Sequence, residues 1–287
     1  MIVFITSIRH PDNCTSYNKV ILLLERTLMS VCNQSDTNYK VIVVCNRLPT
    51  IKYDKQYIEF VKVEFPAPSQ INNARTENSA VLKDKGSKYI IGLIAAKKHN
   101  PDYIMFFDAD DMIHRDLAKV ANSNKNKNGW FIEKGYVYED GGMLVSKVDN
   151  FHLSCGTSHI IAYKLLPVPG ELSLTSSVED ILDEVDEYYL FRVLGGHREI
   201  TAYYKKINYP LMCFPFRAAI WLANTGENHS GVGFFGFPRF VSSKIQKDFG
   251  FSVQHHAYLY LRTFFSSYPY LILRSILRNL KHRLISA

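Results

Sequence analysis

Four short, nearly unbroken apolar runs constrain this chain more than anything else in it. IVFITSI (residues 2–8), YKVIVVCN (39–46), VKVEF (61–65) and YIMFF (103–107) are rich in β-branched and aromatic residues. Each reads as a buried strand, bounded by polar or turn-forming residues. Between them the period changes. Val20, Leu23, Leu24, Leu28 and Val31 recur at helical spacing behind Ser16, a suitable N-cap, and predict a helix over 17–31. A second helix is expected from Ser87 to His99, stopped by Asn100-Pro101. Strand, helix, strand and then helix, strand needs crossover connections. The fold class is therefore α/β, with a mostly parallel sheet covered by helices on both faces. Ligands of such sheets bind beyond the carboxyl ends of the strands.

The strand that starts at Tyr103 runs straight into Asp108, Asp110 and Asp111. Carboxylates this close repel, and desolvating them costs more still unless something positive stands among them. One reading is a turn that caps a helix starting near Asp116, since Asp is common at turns and caps. The other is a cation site. Side chains alternate along a strand, so Asp108 and Asp110 leave from one face, and oxygen-rich pairs suit Mn²⁺ or Mg²⁺, which grip a diphosphate.

Past residue 129 the texture changes. GWFIEKGYVYEDGGMLVSKVDNFHLS reads as short strands joined by polar or Gly turns, a mixed or antiparallel extension. An acidic stretch follows, with helical character from Val178 to Leu194, and then a Gly-rich segment, NTGENHSGVGFFGF (224–237), expected to be a mobile loop. From Tyr270, Leu273, Ile276, Leu277, Leu280 and Leu284 keep helical spacing, with Arg274, Arg278, Lys281 and Arg283 on other faces. A basic amphipathic helix over 270–286 either lies in an anionic membrane interface or packs onto the catalytic domain. The expected division is 1–128, 129–245 and a helical tail, 246–287.

Composition bounds the partners. In 287 residues, 47% hydrophobic and 21% charged, there is ample material for a core and no sign of wholesale disorder. Lys+Arg 34 against Asp+Glu 27 leaves +7, an excess that suits an anionic partner. No recognition motif points to nucleic acid. Five cysteines, odd in number and without a CxxC pair, argue for reduced thiols rather than a zinc or disulfide framework. MIVFITSIRHPDN lacks a basic leader, and no run reaches the roughly 20 apolar residues of a spanning helix. The expectation is a cytoplasmic body, peripheral at most on the inner face of the membrane.

Taken in order, these segments resemble the GT-A fold glycosyltransferases, most closely the inverting enzymes of family 2. That family opens with a strand, a helix of the type LLERTLxSVxNQ and a strand of the type IIVVDD, and later has a helix before a strand ending in DADD. The corresponding text is LLLERTLMSVCNQ (22–34), KVIVVCN (40–46) and GSKYIIGLIAAKKHNPDYIMFFDADD (86–111). What the resemblance implies is a metal-dependent inverting transferase, with Mn²⁺ or Mg²⁺ as cofactor. It moves a sugar from a nucleotide-sugar donor to a glycan or lipid-linked glycan acceptor, as in bacterial-type surface polysaccharide synthesis. Asp108 and Asp110 become the DxD pair, with Asp110 the direct metal ligand, Asp108 shared between metal and nucleotide, and Asp111 helping the turn. Thr6, Ser7 and Arg9 are expected near the nucleotide. Lys85 and Lys88 approach it from the start of the helix, or are solvated surface lysines. Relatives carry acids after the second strand where this chain has Cys45 and Asn46; Asn46 still suits a base or ribose, and the nucleotide stays open.

By the same resemblance, DEYYLFRVLGG supplies the general base from Asp186 and Glu187, with Glu187 on the position usually held by the catalytic Asp. Glu179 and Asp180 are the runner-up pair. His229 completes the metal site from a lid, or is simply solvated. Gly156, Thr157, Ser158 and His159 fall where relatives place small polar residues near donor sugar and acceptor, or form a plain strand turn. Two other readings stand beside this one. A sugar-phosphate nucleotidyltransferase would want a Gly-rich loop after the first strand, and SIRHPDNCTS lacks the glycines. A degenerate, non-catalytic fold that binds glycan or scaffolds an assembly would bind nucleotide weakly and without metal.

Overall fold

The computed structural model describes residues 1–71, 75–76, 78–227 and 233–253, and in the C-terminal segment 263, 265, 268–273 and 275–277. The first half follows the expected alternation. Strand β1 (Ile2–Ser7) leads to α1 (Tyr17–Val31), where the Ser16 side chain caps the N-terminus by accepting from Lys19 N. Then come β2 (Tyr39–Cys45), β3 (Ile58–Lys62), a two-residue ladder of β4 (Gln70–Ile71) with β5 (Arg75–Thr76), α2 (Asn78–Ala96) and β6 (Tyr103–Asp108). The second half adds β7 (Met112–Ile113), α3 (Leu117–Ser123), β8 (Gly129–Phe131), β9 (Gly135–Glu139), β10 (Leu144–Val148) and β11 (His159–Ala162). After these lie α4 (Val178–Glu184), α5 (Ile200–Lys206), β12 (Met212–Cys213), β13 (Ala219–Ala223), β14 (Pro238–Phe240) and α6 (Ser243–Phe249).

The main sheet has the order β12-β8-β11-β6-β1-β2-β3, and only β11 runs against the others. A second sheet, β14-β10-β9-β13-β7, is mixed. The expected α/β architecture, a largely parallel sheet with a mixed extension, is the one found. Strand alternation sorts the core. Ile2, Phe4, Val41, Val43, Met105 and Phe107 pack with Val20, Leu24 and Leu28 of α1, while Val3, Ile5, Ile42, Val44, Ile104 and Phe106 pack with Ile90, Ile91 and Leu93 of α2. Apolar on both faces, the central strands read as continuous runs for this reason.

Three boundaries differ from expectation. Pairing of β3 starts at Ile58 rather than 61, because Val41 N donates to Tyr57 O and draws in the preceding residues. Helix α2 starts nine residues earlier than Ser87; its first turns carry polar residues that face a cleft instead of the core, so no apolar period marks them. The helical stretch expected over 178–194 is broken. α4 stops at Val185, which is extended, and the chain re-enters a wide π-helical turn over Tyr189–Leu194. Gly86 and Gly195 let α2 and this turn approach backbone to backbone: a Cβ at Gly195 would meet Leu82 O at 2.1 Å, and one at Gly86 would meet Leu190 O at 2.3 Å.

Buried polar residues at the end of α1 and just beyond it have structural work to do. Ser30 Oγ accepts from Ile113 N at 2.9 Å, and Gln34 Oε1 accepts from Ala118 N at 2.9 Å. Together they pin the segment that follows the three aspartates.

Candidate active site

Strand β1 connects outward to β2 and β3, and the chain then returns to lay β6 on the other side of β1. The order reverses between β1 and β6, and there the loops leaving the two strands diverge and open a crevice. Ser7 and Asp108 are register partners at that point. A cleft of about 780 Å³ lies over it, walled by Ser7–His10, the start of α2, Asp108–Asp111, Ser154–Gly156, Phe191–Glu199 in part, Trp221 and Glu227. A wider hollow of about 1010 Å³ lies at the start of β2, among Ser35–Thr37, Arg115–Lys119 and Ser243–Asp248. There Lys244 pairs with Asp248 and Ser35 donates to Asp116, and the hollow lacks the crevice's strand ends.

At the floor of the cleft, Asp108 shares a face with Ile104 and Phe106 and so meets α2. Its Oδ1 accepts from Lys85 Nζ at 2.5 Å, and the Gly156 backbone also donates to it. Burial pushes its carboxyl up, but the Lys85 ammonium outweighs that and holds it below the ordinary carboxylate value. Gly156 must be glycine here, since a Cβ would stand 2.6 Å from Asp108 Oδ2 and 3.1 Å from Lys85 Nζ. Asp110 also lines the cleft; burial, and after it the charge of Asp108, push its carboxyl to about 7.

Asp111 behaves differently from both. It is 1% exposed, and its oxygens accept from Thr157 Oγ1 at 2.5 Å, Cys155 Sγ at 3.0 Å and Leu222 N at 3.0 Å. Burial, then Asp110 and Asp108, raise its carboxyl well above the ordinary value. More than a turn former, it ties β6, the 155–157 loop and β13 together. Thr157 Oγ1 in turn accepts from Asp108 N at 2.9 Å. Carboxylate oxygens of Asp108 and Asp111 and the Cys155 thiol lie within 4.8 Å of one another. Asp111 and Cys155 are spent on each other, however, and a buried protonated thiol is a poor partner for a hard cation. By donor chemistry alone, the carboxylates of Asp108 and Asp110 that line the cleft suit Mn²⁺ or Mg²⁺ better than this thiol-bearing cluster does.

The remaining expected residues divide into those at the cleft and those away from it. Ser7, Arg9, Lys85 and Gly156 line it. Arg9 Nη1 lies 3.4 Å from Glu227 Oε2, and Glu227 also accepts from Ser16 N at 2.8 Å, which fixes the entry to α1. Thr6 is buried in the strand and does not reach the cleft. Neither lysine is the solvated surface residue of the second reading: Lys85 is 21% exposed, and Lys88 is 0% exposed, donating to Ile8 O at 3.0 Å and Asp84 Oδ2 at 2.8 Å. Lys88 is an internal brace between β1 and α2. Asn46 Nδ2 donates to Phe65 O at 2.9 Å, its Oδ1 is shielded without a partner among the described residues, and the side chain does not line the cleft.

Thr157, Ser158 and His159 are all buried. Ser158 Oγ donates to Cys155 O at 2.7 Å and pairs with His159 Nδ1 at 3.0 Å, while His159 Nε2 pairs with Thr201 Oγ1 at 3.0 Å. Of that quartet only Gly156 meets the cleft. Asp186 and Glu187 are exposed and do not line it either. Asp186 Oδ1 accepts from Tyr189 N at 2.8 Å, capping the wide turn, and the turn presents Phe191 and Arg192 to the cleft in their place. Asp180 is used in a capping box with Ser177. His229 lies outside the described residues.

Sequence reasoning missed Asp84, His197, Arg198, Glu199, Trp221 and Glu227, all in the cleft wall. His197 follows Gly195-Gly196 at the end of the wide turn; its ring hydrogen-bonds to the Leu153 backbone, and burial, then Lys85, lower its pKa to about 4. Glu227 sits in the Gly-rich stretch already singled out, and an acid there was the available signal. Nothing local marked the others.

Among known proteins, no family model and no curated sequence matches the chain. Solved structures do overlap with it. Staphylococcus aureus TarS 1–349 aligns at 13% identity and a TM-score of 0.40, over 77% of this chain and 60% of that one. In the longer TarS structure the matched share of that chain is 36%, so this chain spans well under the length of the protein it overlaps. An active-site mutant of LgtC aligns at 14% identity and 0.32, over 88% and 85%. A mannose-1-phosphate geranyltransferase from Thermus thermophilus aligns at 12% and 0.29, over 77% and 73%. Overlaps of this extent say nothing about the reaction.

Proposed function

We propose that the protein is a GT-A type, metal-dependent glycosyltransferase that takes a sugar from a nucleotide-sugar donor. The observation that carries this reading is the Asp108/Asp110 pair at the β1–β6 reversal, under a cleft of about 780 Å³, a size that suits a nucleotide sugar. Asp110, aided by Asp108, would hold Mn²⁺ or Mg²⁺. When bound, the cation supplies charge neutralisation to the departing diphosphate. Lys85 keeps Asp108 ionised and aimed, Arg9 adds positive charge at the β1 lip, and Gly156 leaves room for the pair. The acceptor is a glycan or lipid-linked glycan, and transfer proceeds with inversion.

Calorimetric titration of UDP, GDP, CDP and CMP, each with and without Mn²⁺, tests this reading. One nucleotide should bind, only with metal, and Asp110→Ala should abolish that binding while leaving the thermal unfolding transition in place. Failure of all four to bind would sink the proposal.

Among the described residues no helix is long and apolar enough to cross a membrane. Peripheral attachment is part of the proposal. In the C-terminal segment Tyr268 stacks on Phe240 at 5.6 Å, whereas Phe265, Tyr270, Leu273 and Leu277 stand exposed. Such apolar side chains, in a stretch whose sequence is basic, suit an anionic lipid interface.

A further inference from the structure

Inverting transfer needs a group to take the proton of the attacking hydroxyl, and this inference rests on the transferase reading above. The acids of the cleft wall each already hold a bond or an ion pair. Asp84 Oδ2 braces Lys88, while its Oδ1 is shielded and has no partner among the described residues; Asp108 pairs with Lys85, and Asp111 is bound among Thr157, Cys155 and Leu222. Glu199 accepts from Tyr188 Oη at 2.6 Å, Glu227 holds Arg9 and the start of α1, and Asp110 would hold the cation. His197 is different. Its Nε2 is shielded from solvent and has no hydrogen-bond partner among the described residues. An orphaned buried acceptor costs free energy unless a water, an ion or a ligand answers it, and at the wall of a cleft a ligand's hydroxyl can do so. The Leu153 backbone carbonyl takes the ring's other N–H, which leaves the lone pair on Nε2. The ring lines the same cleft as Asp108 and Gly156, carried there by the wide turn and the two glycines after it.

We infer that His197 is the general base of the transfer. The acceptor's O–H proton passes to Nε2 as its oxygen bonds to the anomeric carbon. The bond from that carbon to the diphosphate oxygen breaks, its electron pair leaving on the diphosphate. The imidazolium then returns the proton to water. Acids on the exposed surface, Glu187 included, are not required.

The test uses the full chain with Mn²⁺ and a panel of UDP-, GDP- and CDP-linked sugars, with water as the acceptor and release of nucleotide as the readout. In His197→Gln and His197→Ala, kcat should fall roughly 10²- to 10⁴-fold, with nucleotide affinity held within about twofold. Added imidazole should restore roughly tenfold of the lost rate to His197→Ala, which a merely structural role would not allow. Near-normal turnover in His197→Gln overturns the assignment, as does a fall that imidazole does not repair. Loss of turnover in Glu187→Gln beside an active His197→Gln would move the base to that acid. No nucleotide binding by the wild-type protein would sink the transferase reading itself, and wild-type binding without any turnover would sink the base assignment.

Discussion

Replacing Thr157 by Val removes one hydroxyl and almost no volume. That hydroxyl is 0% exposed and serves two partners, accepting from Asp108 N at 2.9 Å and donating to Asp111 Oδ2 at 2.5 Å. The substitution orphans a buried backbone N–H and takes one of three donors from a buried carboxyl. An unsatisfied buried donor costs about 1–3 kcal/mol and the second lost bond about 1 more, so the variant should lose about 3 kcal/mol. For a chain of this size that is roughly 5 °C in Tm. Chemical denaturation followed by far-UV circular dichroism measures the loss directly. Thr157→Ser keeps the hydroxyl and should return to within about 1 kcal/mol of the parent. The same pair separates stability from function: Thr157→Val should weaken Mn²⁺-dependent nucleotide binding, because Asp108 loses the bond that sets its backbone, and Thr157→Ser should not. A Val variant as stable as the parent would refute the claim that this hydroxyl holds the cleft floor.

Two further expectations concern charge and surface. The raised carboxyl of Asp110, near 7, binds its proton more tightly folded than unfolded, so without metal its destabilising effect grows as pH rises from about 4 through 7. Asp110→Asn should therefore gain stability over the parent on going from pH 5 to pH 8 in EDTA, and Mn²⁺ should bind the parent roughly tenfold more weakly at pH 6 than at pH 8; a flat profile in both would discard the assignment. At the C-terminal segment, the protein should co-sediment with phosphatidylglycerol vesicles and less with phosphatidylcholine, and Leu273→Ser with Leu277→Ser should reduce it. Equal partitioning of parent and double variant would place the attachment elsewhere.

The sheet was legible because its central strands are buried on both faces, which leaves an unmistakable apolar run at β1, β2 and β6. The carboxylate tip was legible for the related reason that nothing apolar competes there. Where the sequence misled, the cause was a polar residue facing inward. Lys88, Ser158 and His159 look like site chemistry in one dimension and are internal braces in three. Asp186 and Glu187 show the reverse case, expected at the cleft and found on the exposed surface. A helix was read through them, but the break at Val185 and the wide turn after it rotate the face, and Arg192 and His197 reach the cleft instead. No periodicity rule signals a turn closed from Gly195 N to Leu190 O, five residues back.

Asp111 joins its own segment to Leu222, 111 residues further along the chain. During synthesis the recognisable strand with its three aspartates leaves the ribosome long before the partner that completes it. Until β13 arrives, that carboxyl lacks a backbone donor and the strand tip stays open to water. The early part of the chain can collapse around β1, β2 and α1, but the chemically competent floor is a late product of folding, assembled only when distant text is read. A fragment ending before residue 219 would keep the three aspartates of the strand tip and lack the backbone donor that Asp111 takes from Leu222.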